Sequence, residues 1–522
     1  MRFLRHFFLK LIPLALIAGV VAVLFSSSGT ISSDRLEALN VNTGPGLTYG
    51  SDGFSNTLAA EKTAGTAYVR EVLDWSQIET MQGTYNWSAP VSYATVFAAE
   101  KAKGLKVIAV LNGGPTYLTP TSGETVDSSQ FLLRWANFVQ AAVDQFGSQV
   151  DVWEIGSQIN TTTGMSPFIT PTVASTSTTP DPTLYAKMAK VVYKIVKTAD
   201  ANDEVWMGSL VSASASNCAM NPLTFLLEVN GAKGWDSLDS IEYSPARGAL
   251  APETAQTAAN SACASSLPAS NATLSGEVTA LQNLARQLGG KTVRIEGLGW
   301  SNDELAKLAA NRSISADQVL ADTLTRATTI LAGSNSLTTF FWQIDPNAQA
   351  VPFTALSNLN SVLSGAKFEI QAQGQSGSVF EYRFSKGSQW IIIAWHAQDG
   401  DTPIPVTLSN LPVSSLTAYA VDAAAFTSAN GTTIAVDANG TATVLLNERP
   451  VVFLGQTSNL AAAVQQDAAS QVNEWKYKIK LSAHQSVNQL KADMLNAIKG
   501  LFQSAEDKVV QWGEDKLNSL LN

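Results

Sequence analysis

The spacing of apolar and polar positions changes character three times along the chain. From about residue 36 to 364, short β-rich apolar runs alternate with stretches in which apolar residues recur every three or four positions. The runs place strands at Ala38–Asn42, Tyr68–Trp75, Lys106–Asn112, Val150–Gln158, Glu204–Val211, Ser240–Pro245, Val293–Trp300 and Thr338–Asp345. Helical spacing falls between them, at Val91–Lys103, Ser128–Phe146, Pro182–Asp200, Leu274–Leu288, Ala316–Ala332 and Ala355–Leu363. One such face is Phe131, Trp135, Phe138 and Val143. Strand and helix in strict alternation predict a (β/α)8 TIM barrel over residues 31–364. A doubly wound sheet is the competing fold. It would carry a glycine-rich nucleotide loop after its first strand, and NTGPGLTYG (42–50) does not have that order.

After residue 365 the period drops to two. FEIQAQ, SVFEYRFS, QWIIIAWHA, IPVTLSN, TAYAVDA, TTIAVDA, TATVLLN and PVVFLGQ read as short strands with Asn-Gly turns, predicting an antiparallel β-sandwich over 365–457. In the tail, 458–522, Val487, Leu490, Met494, Ile498, Leu501, Val509 and Trp512 recur at helical spacing. This amphipathic helical segment can pack back on the barrel, meet a protein partner or a second copy, or lie on a lipid surface. At the other end, Arg2, Arg5 and Lys10 precede the apolar run Leu11–Phe25 and then three serines. Residues 1–30 are therefore a signal peptide or an uncleaved membrane anchor, and either places the remainder outside the cytoplasm.

At 522 residues the chain exceeds one compact unit. A formal charge of −10 excludes nucleic acid as the main partner, because no basic field recruits phosphates. Three scattered histidines and two cysteines offer no metal-ligand spacing, so no metal or cofactor is expected. In an exported chain the pair Cys218 and Cys263 is expected to form a disulfide, the alternative being two separate thiols. Long loops at Thr161–Pro180 and Ala246–Ser270 follow the fourth and sixth strands, where a barrel builds its cleft.

The stretch Val150–Asn160, VDVWEIGSQIN, is an apolar strand that breaks at Gly156 into polar residues. It resembles the acid/base segment of the retaining glycoside hydrolases of clan A, WE-I-WNEPN. Four more segments carry the same resemblance in order: TAYVREVLDWSQIETMQGTYNW (66–87), KGLKVIAVLNGGPTYL (103–118), DSIEYSPA (239–246) and KTVRIEGLGW (291–300). Together they cover about 36–455 and are similar to the xylosidase/iduronidase-type and exopolysaccharide-hydrolase families. The resemblance implies a sugar-binding cleft and two catalytic carboxyls about 5–5.5 Å apart.

The departures fall on those chemical positions. Gln158 stands where the family has its proton donor, and a primary amide cannot replace a carboxylic acid. A gapless match puts Gly297 on the nucleophile position and turns Glu296 away from the site, because side chains alternate along a strand. If Gly297 is instead a bulge insertion, Glu296 faces inward and is the fallback nucleophile. Ser157 replaces the family's hydroxyl-binding asparagine, and Ser244 its sixth-strand histidine. Glu154 and Glu242 share the inward parity of Gln158 and Ser244 at greater depth, as partners of Arg70. Sugar binding is expected from Arg70, Ser157, Asn160 and Ser244, with the aromatic faces of Trp75, Tyr117, Trp300 and Trp342; the alternative is barrel-top core, which for Trp300 and Trp342 stands level with the cleft. The expectation is an extracytoplasmic, glycoside hydrolase-like pseudoenzyme that binds a polysaccharide. The alternatives are a structural subunit of an envelope assembly, and a weakly active β-glycosidase using Glu296.

Overall fold

A computed structural model describes residues 52–89, 92–118, 128–161, 180–212, 219–256, 273–310, 312–334, 339–341, 344, 348–373, 378–397 and 402–457. The apolar run near the N-terminus, the expected strand Ala38–Asn42, Cys218, Cys263, Trp342, most of the two long loops and the 458–522 tail lie outside the described residues. Among the described residues no helix is long and apolar enough to cross a membrane.

The helix α1 (Asp52–Thr63) leads into β1 (Tyr68–Asp74), the short turn α2 (Trp75–Ile78), α3 (Tyr93–Ala102) and β2 (Lys106–Asn112). Then come α4 (Ser128–Phe146), β3 (Val152–Ile155), α5 (Pro182–Ala199), β4 (Glu204–Val211), α6 (Pro222–Gly231), β5 (Ser240–Ser244), α7 (Leu274–Gln287) and β6 (Thr292–Leu298). The region ends with α8 (Asn302–Leu308), α9 (Ala316–Gly333), β7 (Thr339–Phe341) and α10 (Ala350–Leu363). The seven strands form one parallel sheet in chain order, as right-handed β–α–β crossovers dictate.

That sheet is strongly curled. Arg70 on β1 lies 3.5 Å from Glu296 on β6, although five strand spacings of about 4.8 Å would hold them about 24 Å apart in a flat sheet. The Tyr68 and Trp206 rings, on β1 and β4, meet at 5.8 Å. The inner face is layered. Tyr68, Ile108, Val152 and Trp206 form an apolar floor, and Arg70, Glu154, Glu242 and Glu296 follow one alternation further along their strands. The outward residues, among them Val69, Val107, Trp153, Val205, Ile241 and Val293, join the helices in the main core. Local chemistry sets the helix starts: Asp181 caps α5 by accepting from Leu184 N–H (3.0 Å) ahead of Pro182, and Ser301 with Glu304 closes a capping box on α8.

The third region carries β8 (Lys367–Gln373), β9 (Val379–Lys386), β10 (Gln389–His396), β11 (Ile404–Leu408), β12 (Ser415–Ala420), β13 (Thr432–Ala435), β14 (Ala442–Leu446) and β15 (Val451–Gln456). Six strands make an antiparallel sheet in the order β13-β12-β15-β10-β9-β8, and β11 and β14 pair separately. Trp390, Ile392, Val406, Leu408, Val444 and Phe453 fill the space between the two sheets. The opposite face of the larger sheet, with Tyr382, Phe384, Ile391, Ile393 and Trp395, joins the core of the parallel region. Burial on both faces explains why QWIIIAWH reads as a continuous apolar run. The helix α9, buried from Val319 to Ala332, lies at this junction. Its Asp322 accepts from Arg312 (2.6 Å), which also pairs with Glu448 (3.2 Å) just before β15.

Among the element boundaries that differ from the sequence expectation, two have a clear local cause. The helix α10 starts at Ala350, five residues before the expected Ala355, because Pro352 sits in the first turn, where its missing N–H costs no hydrogen bond. Strand β3 is shorter than Val150–Gln158, since Gly156 (φ +73°) and Gln158 (φ +50°) turn the chain out of extended geometry.

Candidate functional site

The segment Gly156–Thr161 leaves the C-terminal end of β3 and β4 holds it in place, while β4 pairs with β5 at Val211–Ser244. A register shift between Met207 and Leu210 interrupts the β4–β5 ladder. Within it, Gly208 comes so close to the backbone carbonyls of Ile155 and Gly156 that a Cβ would collide with them. The next residue, Ser209, receives the Gln158 N–H at its hydroxyl (3.0 Å), exchanges a hydrogen bond with the Ser157 hydroxyl (3.2 Å), and offers its carbonyl to the Ile159 N–H (3.0 Å). Tyr185 of α5 adds a further tie, donating its hydroxyl to the Ile155 carbonyl (3.1 Å) and accepting the Gly208 N–H (3.1 Å). Ser209 and Tyr185 were not among the expected site residues. A glycine inside the strand pattern of EVWMGSLV is the one signal that pointed to them.

The stapled segment presents Gln158 with its side chain exposed and its backbone left-handed, a conformation that costs a non-glycine residue of order 1–3 kcal/mol. Ser157, half-buried, sits beside it. Asn160 is a correction. It is fully buried, donating its amide to the Val211 (2.9 Å) and Met220 (2.7 Å) carbonyls and accepting the Val211 N–H (2.8 Å). It buckles the segment to β4 and has no atom left for a ligand.

Below the mouth, Arg70 grips Glu154 with a two-pronged fork, Nε to Oε2 and Nη2 to Oε1, both 2.6 Å. Its third nitrogen, Nη1, faces Glu296 at 3.5 Å. Glu296 therefore points inward, opposite to the gapless match. Ordinary alternation from Val293, Arg294 and Ile295 puts it there, and the break comes afterwards: the β6–β7 register slips between Ile295 and Leu298, and Gly297 (φ +67°) is the extra residue. A Cβ on Gly297 would lie 3.0 Å from the Ser244 hydroxyl. Glu242 completes the layer, fully buried. Burial pushes both Glu154 and Glu242 above the ordinary carboxylate range; Arg70 opposes the rise at each, and Glu242 ends well above it.

The expected aromatic platform is smaller than the sequence suggested. Trp75 is core: its ring stacks on Phe138 (5.0 Å) and its indole N–H goes to Glu79 (2.5 Å). Trp300 is also tucked in, donating to the Leu250 carbonyl (3.2 Å). In both cases the ring leaves the strand end into the packing and not into the cleft, which strand parity alone does not reveal. Tyr117 remains half-buried beside Glu79, which with burial pushes its phenol above the ordinary range. Ser244 is buried at the end of β5, its carbonyl taking the Ser212 N–H. Among the described residues no group of histidine, cysteine, aspartate and glutamate side chains could hold a metal ion.

The structure resembles solved glycoside hydrolases. A family 39 glycoside hydrolase from the gut symbiont Bacteroides cellulosilyticus WH2 superposes with a TM-score of 0.59 at 17% identity, over 82% of each chain. A family 30 endoxylanase from Clostridium papyrosolvens C71 gives 0.50 at 14%, over 82% of this chain and 98% of that one. A family 44 xyloglucanase from Paenibacillus polymyxa gives 0.50 at 10%, over 82% and 97%. No protein-family model and no curated protein matches the sequence. At these identities the likeness defines a glycoside hydrolase-like fold, in which a parallel α/β sheet is followed by a sandwich-like antiparallel module.

Proposed function

We propose that this chain is a carbohydrate-binding protein built on the scaffold of a retaining glycoside hydrolase, holding a polysaccharide across the mouth of its curled sheet without cleaving it. One observation carries the proposal: the side chain displayed at the end of β3, where such a hydrolase keeps its proton donor, is the amide of Gln158. An amide donates and accepts hydrogen bonds to sugar hydroxyls but has no proton to give a leaving group, and that help is typically worth 10²–10⁴-fold. Ser157 and Gln158 bind hydroxyls, Tyr117 offers a ring edge or face, and Glu296 lies beneath them. Ala38–Asn42 closes the sheet into an eight-stranded barrel, and residues 365–457 brace it. Residues 1–30 export or anchor the chain, Cys218 and Cys263 join in a disulfide, and the 458–522 tail serves a protein partner.

The inward position of Glu296 favours a second reading, residual retaining hydrolysis with Glu296 as nucleophile on glycosides whose leaving group needs no proton. One experiment separates the two. The purified full-length chain is equilibrated with soluble and cell-wall polysaccharides, with cosedimentation and released reducing ends measured in the same tubes. Binding without release supports the binding protein. Release supports the second reading, and absence of any binding overturns both.

A further inference from the structure

Four charged groups share one layer of the inner face, and three of them are acids. Arg70 from β1 gives Nε and Nη2 to Glu154 on β3 and turns Nη1 towards Glu296 on β6. Glu242 on β5 is fully buried, and neither of its oxygens receives a hydrogen bond from a donor group. The charge that bears on it most is that of a second acid, Glu154. An ionised carboxylate buried without a donor is costly, and one facing a second carboxylate more so; a protonated carboxyl avoids both costs and has a hydrogen to give.

The other groups around Glu242 give it no donor either. Arg294, its register neighbour on β6, gives Nε to Ser240 (3.1 Å), faces Glu204 (3.6 Å) and lays its guanidinium over Trp206 (4.0 Å) in the layer below. Tyr185 of α5 feels both Glu154 and Glu242, but its hydroxyl is committed to the Ile155 carbonyl.

We infer that Glu242 is a resident neutral acid whose O–H donates to the Glu154 carboxylate, and that this hydrogen bond positions the Arg70–Glu154 fork under the cleft floor. The proton removes one negative charge from a layer that carries three acids around one guanidinium. The linkage has a definite sign. A carboxyl whose folded pKa lies above its unfolded value binds its proton more tightly when folded, so its stabilisation is complete at acid pH and is lost as pH rises towards the folded pKa.

The inference is independent of whether the cleft takes a glycan, and it is tested on the full-length chain. At neutral pH the infrared difference between the native protein and Glu242→Gln should contain the carbonyl band of a protonated carboxyl. Glu242→Gln, whose amide still donates to Glu154, should keep the native Tm at neutral pH and flatten the fall of Tm towards alkaline pH. Glu242→Ala should lower Tm at all pH values. A difference spectrum without the protonated-carboxyl band overturns the inference. So does a Glu242→Gln protein whose Tm still falls towards alkaline pH with the native slope.

Discussion

Asn160 and Val211 are joined by a reciprocal pair of hydrogen bonds, Asn160 Nδ2 to the Val211 carbonyl at 2.9 Å and the Val211 N–H to Asn160 Oδ1 at 2.8 Å. A side-chain amide thus completes the ladder of β4 where no neighbouring strand does. Through it the segment that displays Gln158 becomes part of the sheet. The mouth of the curled sheet is pre-formed on this side, and a ligand meeting Gln158 finds a fixed group.

Rigidity at that point comes with strain. Gln158 sits at φ +50° with its side chain in solvent, so no packing demands a side chain there. Gln158→Gly should relieve the left-handed strain and stabilise the protein by about 1 kcal/mol, seen as a higher urea midpoint. The same change should weaken polysaccharide binding in cosedimentation. A rise in stability with binding unchanged would remove Gln158 from the site.

Arg70→Lys should not behave as a conservative change. A lysine cannot reproduce the fork to Glu154 while facing Glu296, and it leaves buried carboxylates partly unpaired. Loss of about 3 kcal/mol is expected in chemical denaturation, in the range for breaking a buried ion pair. A loss under 1 kcal/mol would mean that the layer is solvated.

A second buried acid gives the protein a pH dependence near neutrality. Glu277 on α7 accepts from the Tyr243 hydroxyl (2.9 Å) and faces Arg247 (3.5 Å). Burial outweighs Arg247 and pushes it up to about 7 from an ordinary 4.5. Its folded pKa is the higher one, so stability falls as pH rises between those values, by at most about 1.4 kcal/mol per pH unit. Glu277→Gln should reduce the slope of Tm across this window by that one group's share, leaving the acid side little changed.

Much of the architecture was readable from the sequence, and the site only partly. Alternation along YVREVLD, KVIAVLN and EVWMGSLV placed the inner-face strands within a residue of their observed ends, and period-two patterning located all eight strands of the second module. Pairing of Arg70 with Glu154 followed from parity and the need to neutralise buried charge. What alternation cannot supply is the point at which it fails. The slips at Met207–Leu210 and Ile295–Leu298 decide that Ser209 holds Gln158 and that Gly297, not Glu296, is the added residue. Trp75 and Trp300, for which barrel-top core stood beside the cleft as an alternative, are both core: an aromatic at a strand end looks the same in sequence whether the following turn carries it into the cleft or into the packing behind it.

On the proposed reading, the amide at position 158 is what keeps this chain from cleaving the sugar it binds. Its most direct test is the release of reducing ends from a polysaccharide that the native protein binds, comparing native with Gln158→Glu and with Gln158→Glu carrying Glu296→Ala. The account predicts no release by the native protein, a gain of about 10² or more in Gln158→Glu, and loss of that gain when Glu296 is removed. Native turnover that Gln158→Glu leaves unchanged and that Glu296→Ala alone abolishes would contradict it.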